Sequence, residues 1–194
     1  MNNKKPRKCN WCIGNQIYEN YHDYEWGVPV HDDNKHFEFI ILDGAQAGLS
    51  WLTVLKKREN YRAAFDNFNP DKIALYDENK IEELMHNKGI IRNRQKIRSA
   101  VNNAKAFLKI QKTYGSFDNF IWGFVEGKPI INSWEKEEDI PATSKESDKM
   151  SKKLKEFGFS FVGSTICYAY MQAAGMVNDH IVSCFRYKEI IESY

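Results

Sequence analysis

The chain has 194 residues, 42% of them apolar, and carries 28 basic against 26 acidic side chains for a net charge of +2. That length fits one domain, or one domain with a small lobe, and the near balance of charge neither demands nor opposes a nucleic-acid partner. No run of about 18 apolar residues occurs, which excludes a transmembrane helix; Met1–Lys8 is polar and basic with no apolar stretch after it, which predicts a frayed tail at 1–8, no signal peptide and, by default, a cytoplasmic location.

From Cys9 to Gly27 the chain is dense in aromatic and metal-capable residues: Cys9, Trp11, Cys12, Tyr18, Tyr21, His22, Tyr24 and Trp26. Asp32 or Asp33 can cap a helix that starts near Asn34 and carries Phe37, Ile40 and Ile41 at helical spacing. The stretch Leu42–Trp51 then sets one carboxylate, Asp43, among small residues, follows Gly48 with Leu49 and ends on the indole of Trp51. An acid, room and an aromatic plate suit a pocket for a planar, electron-poor molecule; the plainer reading is a helix, a Gly-marked turn and a second helix with Trp51 in its core. Ser50 can cap that second helix, with Trp51, Val54 and Leu55, extended by Tyr61, Ala64, Phe65 and Phe68 until Asn69-Pro70 stops it.

A short helix follows over 71–76, and Asp77 caps another with Ile81, Leu84 and Met85, closed by Gly89. A long helix over 93–112 places Ile97, Val101, Ala104, Leu108 and Ile110 on one side. Phe117–Val125 reads as a short aromatic helix, 130–143 as a charged loop, and Thr143 with Glu146 as a capping box opening a helix that ends at Gly158. A last helix runs from Ser164 to Ala174 and ends at Gly175. No strand-like alternation persists, so the predicted class is all-α.

His180 and Cys184 stand four residues apart, which on a helical turn gives half of a tetrahedral metal site. The other half can come from Cys9 with Cys12, which have zinc-finger spacing, or from Cys9 with His22. A closed set of four ligands leaves no position for water and makes the site structural, a clip between the chain ends. The plainer reading is ordinary core and surface residues, and His31, His36 and His86 read as surface. Lys88–Arg98 holds basic residues and no acids around Gly89, predicting a helix, a tight turn and a helix whose free N–H groups attract a phosphate, with Arg92, Arg94, Lys96 and Arg98 around it. Lys56, Lys57 and Arg58 form a second basic spot; the plainer reading of both is a solvated face.

These segments, and in particular Cys9-x-Trp11, Tyr21-His22-Asp23-x-Glu25-Trp26-Gly27-Val28-Pro29, Gln46-Ala47-Gly48-Leu49-Ser50-Trp51, Leu55-Lys56-Lys57-Arg58-Glu59-x-Tyr61, Gly89-Ile90-Ile91-Arg92, Phe161-Val162-Gly163-x-Thr165-Ile166-Cys167-Tyr168, Asn178-Asp179-His180 and Cys184, resemble the bacterial 3-methyladenine DNA glycosylase I family. The resemblance implies a helix-hairpin-helix fold, all-α, in one domain over 9–185 with two helical lobes and a C-terminal tail over 186–194. It implies a structural Zn2+ on Cys9, His22, His180 and Cys184, which leaves Cys12 free; a base pocket of Tyr18, Tyr21, Trp26 and Trp51; and an acid at Asp43, where the family usually has glutamate, one methylene longer. It places the DNA-phosphate element at Gly89, with Arg92, Arg94 and Lys96, and leads to Leu49 beside Gly48 as a wedge into the gap a flipped base leaves. The expected activity is hydrolysis of the N-glycosidic bond of N3-methyladenine in damaged double-stranded DNA, with free 3-methyladenine as product, by a monomer with no membrane attachment. No lysine is placed as a covalent nucleophile and Ala100-Val101-Asn102-Asn103 after the hairpin holds no acid, which predicts a monofunctional enzyme with Asp43 serving recognition first and general base second. The competing expectations are a damage sensor without catalysis and a zinc hydrolase.

Overall fold

Side-chain caps set most of the helix starts. Asn15, Asp32, Ser50, Asn69, Asp77, Asn93 and Ser116 each accept a backbone N–H of the first turn that follows. In the computed structural model, which describes residues 7–193, they open α1 (Gln16–Tyr24), α2 (Asp33–Gln46), α3 (Trp51–Leu55), α5 (Pro70–Ile73), α6 (Glu78–His86), α7 (Arg94–Tyr114) and α8 (Phe117–Trp122). The others are α4 (Arg58–Ala64), α9 (Lys145–Phe157), α10 (Ser164–Ala173) and α11 (Phe185–Glu192). Among the described residues the extended structure is one two-residue parallel pair, β1 (Ile130–Ile131) with β2 (Val177–Asn178), which pins the loop after α8 to the segment after α10. The architecture is mostly helical, and among the described residues no helix is long and apolar enough to cross a membrane.

Helix α2 lies at the centre. Every residue from His36 to Ala45 is buried, and the helix packs against α7, α8 and α10. A helix that is apolar nearly all round has no face to give to water, so its neighbours wrap it. Helix α7 brings Ile97, Ala100, Val101, Ala104, Phe107 and Ile110 to the same core, and Phe107 stacks on Phe117 at 4.2 Å.

Several boundaries differ from the sequence expectation. The helix begun at Ser50 does not run through to Phe68: it breaks at Lys56-Lys57 and resumes as α4, and Asp66, Asn67 and Phe68 all take positive φ. The break lets Lys57 Nζ donate to the carbonyls of Lys88 and Gly89, at 3.0 and 3.3 Å. The capping box of α9 is Ser144 with Ser147, one residue beyond Thr143 and Glu146. Helix α6 ends at His86, three residues short of Gly89. The supposed C-terminal tail at 186–194 contains most of α11, whose Ile190 is buried and whose first N–H donates to the Arg7 carbonyl. Residues 1–6 of the expected N-terminal tail, and Tyr194, lie outside the described residues; Lys8 is not frayed, since its ammonium pairs with Asp23 at 2.6 Å and Glu19 at 3.0 Å.

Gly175 closes α10 where a side chain has no place. Its φ is +68°, and a Cβ there would stand 2.4 Å from Val28 C and Pro29 N. The strain and the backbone clash act together. Gly175→Ala is expected to cost more than about 2 kcal/mol in urea unfolding, whereas Gly123→Ala, with no atom within 4 Å and an ordinary φ of −59°, stays within about 1 kcal/mol of the parent.

Candidate active site and metal-binding cluster

Three ionisable side chains of α2 are buried, and two of them are satisfied. His36 Nε2 lies 3.1 Å from Asp118 Oδ1 and its Nδ1 lies 2.7 Å from the Tyr170 hydroxyl. Burial pushes the His36 imidazole below its ordinary range, with Asp118 opposing. The surface assignment of His36 is therefore corrected: it is a core histidine held by partners remote in sequence, while His31 and His86 are exposed. Glu38 accepts from Arg58 Nε at 2.6 Å and Arg62 Nη2 at 2.8 Å. Arg58 also donates to Glu25 and is buried, so the basic spot at Lys56, Lys57 and Arg58 is not one surface: Arg58 belongs to an internal ion network and Lys57 braces the hairpin turn.

Asp43 is the exception. It is 2% exposed, and its Oδ2 has no hydrogen-bond partner among the described residues. Burial pushes its carboxyl well above the usual carboxylate range, against a smaller opposing pull from Arg58. Buried polar atoms are seldom left without a partner, and one that is calls for a cause.

That orphaned carboxyl faces a cavity of about 440 Å³ lined by Trp11, Tyr18, Tyr21, Trp26, Asp43, Gln46, Trp51, Glu137, Ile140, Pro141, Ala169 and Gln172. The size and the mixture of aromatic walls with few polar groups are those of a small-molecule site. Trp11 and Trp26 meet edge to face at 5.1 Å, and Tyr21 packs against Trp51 at 5.5 Å. Trp51 Nε1 is likewise buried with no hydrogen-bond partner among the described residues. Tyr18 lines the wall and also accepts the Leu52 N–H at 2.9 Å, which ties α1 to the start of α3. The structure thus brings Asp43, Tyr18, Tyr21, Trp26 and Trp51 around one cavity. Glu137 and Gln172 also line it, and nothing in the sequence singled them out. Glu137 reaches it from the start of a short 3-10 turn, Glu137–Asp139, while accepting the Asn10 N–H, and Gln172 donates to Asp179 at 2.8 Å. Past the cavity, α2 ends in a turn at Ala47, with Gly48 at φ +77° and Leu49 41% exposed.

Cys9, His22, His180 and Cys184 are all buried, and their ligand atoms lie within 4.8 Å of one another. Cys184 Sγ stands 3.4 Å from His22 Nε2 and 3.6 Å from His180 Nδ1, and Cys9 Sγ 3.7 Å from His180 Nδ1. The helical turn expected for His180 and Cys184 is absent: His180 lies in a turn and Cys184 precedes the first residue of α11. Cys12 points away, its thiol donating to the Cys9 carbonyl at 3.0 Å. The far nitrogens of both rings are also occupied, His22 Nδ1 by Asp23 at 2.8 Å and His180 Nε2 by the Trp26 carbonyl at 3.1 Å.

The basic hairpin is a helix, turn and helix formed by α6, residues 87–93 and α7. Tyr61 accepts the Ile91 N–H at 3.2 Å, and a Cβ on Gly89 would stand 3.0 Å from the Asn60 side chain, so the turn sits tightly on α4. Its cations divide. Arg92 is exposed; Arg94 pairs with Glu82 and Arg98 with Glu78. Lys96 points inward, donating to the carbonyls of Ala45 and Ala47.

The raised carboxyl of Asp43 fixes a sign for pH dependence. A carboxyl whose folded value lies above its unfolded value of about 3.9 costs stability as pH rises from there through the folded value, because the folded state binds more protons in that window. As pH rises above about 4, urea unfolding should shift progressively in favour of Asp43→Asn over the parent; a shift in the opposite sense would mean a folded-state carboxyl held below its ordinary range.

Known proteins resemble this chain over nearly its whole length. The sequence profile of the methyladenine glycosylase family matches residues 11–187. DNA-3-methyladenine glycosylase 1 of Escherichia coli (strain K12) is 49% identical over 180 residues, 93% of this chain and 96% of that protein. A crystal structure of 3-methyladenine DNA glycosylase I superposes with a TM-score of 0.90 at 51% identity, covering 92% of this chain and 98% of that one. A variant of 3-methyladenine DNA glycosylase I in complex with 3-methyladenine superposes with a TM-score of 0.89 at 37% identity, over 92% and 96% of the two chains. The chain belongs to the methyladenine glycosylase family and is a glycosylase, a hydrolase of N-glycosyl bonds.

Proposed function

We propose that the chain flips N3-methyladenine out of alkylated duplex DNA into the Asp43–Trp51 cavity and hydrolyses its N-glycosidic bond, with no covalent lysine intermediate. The observation that carries this reading is the unpartnered Asp43 carboxyl in an aromatic cavity, in a chain half identical to a 3-methyladenine glycosylase. Methylation at N3 makes the purine cationic and a good leaving group. Extruding the base costs a few kcal/mol, less for a damaged one. Trp51 stacks on the cationic base, a contact that contributes about 0.5–2 kcal/mol or more when desolvated and that a neutral adenine lacks.

Asp43 adds a second discrimination. Alone in the cavity its carboxyl is pushed towards the neutral form by burial, against a smaller pull from Arg58. A cationic base supplies the missing counter-charge, and the adenine edge supplies hydrogen bonds to the orphaned oxygen. A neutral base supplies no charge to offset the desolvation of a carboxylate. Leu49, exposed on the Gly48 turn, fills the gap in the stack. The hairpin around Gly89, with exposed Arg92 and the N–H groups of the α7 start, holds the backbone phosphates. Water then attacks the sugar carbon as the base departs, and the cavity retains the free base as product.

Cys9, His22, His180 and Cys184 fit a structural zinc ion. A tetrahedral zinc site would need sulfur–nitrogen edges of roughly 3.5 Å, close to the three sulfur–nitrogen separations of 3.4, 3.6 and 3.7 Å, and all four ligand atoms lie within 4.8 Å of one another. Both imidazoles hydrogen-bond through their other nitrogen, as metal-bound histidines do. Cys9, His22, His180 and Cys184 would hold such an ion with all four positions taken by protein, so its contribution would be a structural clip between the chain ends. Trp11, between Cys9 and Cys12, reaches the cavity from the clipped end.

Incubation with methylated duplex should release free 3-methyladenine and leave the strands uncut; tight binding without release would make the chain a damage sensor. Trp51→Ala should lower release by roughly a hundredfold or more while costing less than about 2 kcal/mol of stability; loss of stability in the same proportion would return Trp51 to the core. Zinc analysis should give about one ion per chain, and Cys184→Ser should reduce metal content and thermal stability together.

A further inference from the structure

Helix α2 ends without a cation of its own: its last turn contains no basic residue, although the free carbonyls and the helix dipole both favour one there. The cation comes from another element. Lys96, in the first turn of α7, sends its ammonium 2.8 Å from the Ala45 carbonyl and 2.7 Å from the Ala47 carbonyl. Those two carbonyls bracket Gln46 and stand immediately before Gly48 and Leu49. The same short stretch carries Asp43 one turn upstream, Gln46 in the cavity wall and the exposed Leu49 on the turn. The local backbone bonds of the turn are two, from the Ala47 N–H to the Gly44 carbonyl at 3.4 Å and from the Leu49 N–H to the Gln46 carbonyl at 2.6 Å.

Lys96 is also out of place for a phosphate contact. Its ammonium is partly withdrawn from water, and burial lowers its proton affinity. Arg92, on the same hairpin, is exposed. A lysine turned inward onto two carbonyls is a strut between the hairpin and the end of α2.

We propose that Lys96 is a positioning residue that fixes the Gly48–Leu49 turn to the first turn of α7, so that the phosphate-binding hairpin and the wedge engage duplex DNA as one rigid unit. This rests on the reading of Leu49 as the wedge. A hairpin seated on the backbone then sets the height of Leu49 in the stack, and the end of α2 cannot slide away under the load of a flipped base.

The test uses the full chain with Lys96→Met, Leu49→Ala and the double variant, on methylated duplex. Its readouts are single-turnover release of 3-methyladenine, the salt dependence of duplex binding and binding of free 3-methyladenine by tryptophan fluorescence. Lys96→Met should slow release by roughly ten- to a hundredfold, the loss that a displacement of about 1 Å brings. It should leave the salt slope and free-base binding unchanged, and in the Leu49→Ala background it should cost nothing further, because both residues act through one contact. A salt slope reduced by about 0.9 would make Lys96 a phosphate contact and overturn the proposal, as would additive losses, or Lys96→Met at the parent's rate beside an impaired Leu49→Ala. Leu49→Ala at the parent's rate would instead sink the wedge reading itself. Should Lys96→Met lose its native near-ultraviolet signature, Lys96→Gln, which can donate to one of the two carbonyls, takes its place with the same outcomes.

Discussion

A helix with no face to the solvent governs this molecule. From His36 to Ala45, α2 is enclosed by its neighbours, and every polar group on it must be answered from another part of the chain. His36 is answered by α8 and α10, Glu38 by arginines of α4, and the carbonyls at the helix end by Lys96 of α7. These bonds fix the helix in rotation and along its axis. Asp43, alone without an answer at Oδ2, is therefore held at a set depth in the cavity. The rigidity of the scaffold and the availability of the acid have one origin.

The cavity wall is assembled from segments far apart in the chain. Tyr18, Tyr21 and Trp26 come from α1 and the turn after it, Trp51 from α3, Ala169 and Gln172 from α10, and Glu137, Ile140 and Pro141 from the loop after β1. Asp179 gathers two of these groups: one oxygen accepts from Asn132 and Trp134 of the loop, the other from Tyr168 and Gln172 of α10. A carboxylate with four donors is well compensated, which contrasts with Asp43 and its unpartnered Oδ2. The protein satisfies the acid that builds the wall and leaves bare the acid that faces the cavity.

Local chemistry was legible in the sequence; long-range pairing was not. Asp32, Ser50, Asp77 and Asn93 mark helix starts because capping is settled within three residues. The burial of His36 depends on Asp118 and Tyr170, 82 and 134 positions away, and nothing near His36 announces them. The basic run Lys88–Arg98 was visible as charge, but the sequence did not show that Glu82 and Glu78 take two of its arginines and that the end of α2 takes Lys96. His180 and Cys184 come together as the i, i+4 spacing suggested, on a turn and not a helix, because the segment from Asn178 is pinned first by β2 and by Asp179. Glu137 stayed hidden because a charged loop residue has no periodicity to betray which way it faces.

The cluster of Cys9, His22, His180 and Cys184 has a consequence for how the protein comes into being. Cys9 and His180 are separated by 171 positions, and Cys184 is the last of the four to be synthesised. A chain emerging from the ribosome can already set Trp11 against Tyr18, Tyr21, His22 and Trp26, but Cys9 meets His180 and Cys184 only when the final turn is out. The cavity wall, which takes Ala169 and Gln172 from α10, and the cluster at the chain ends are thus completed only late in synthesis.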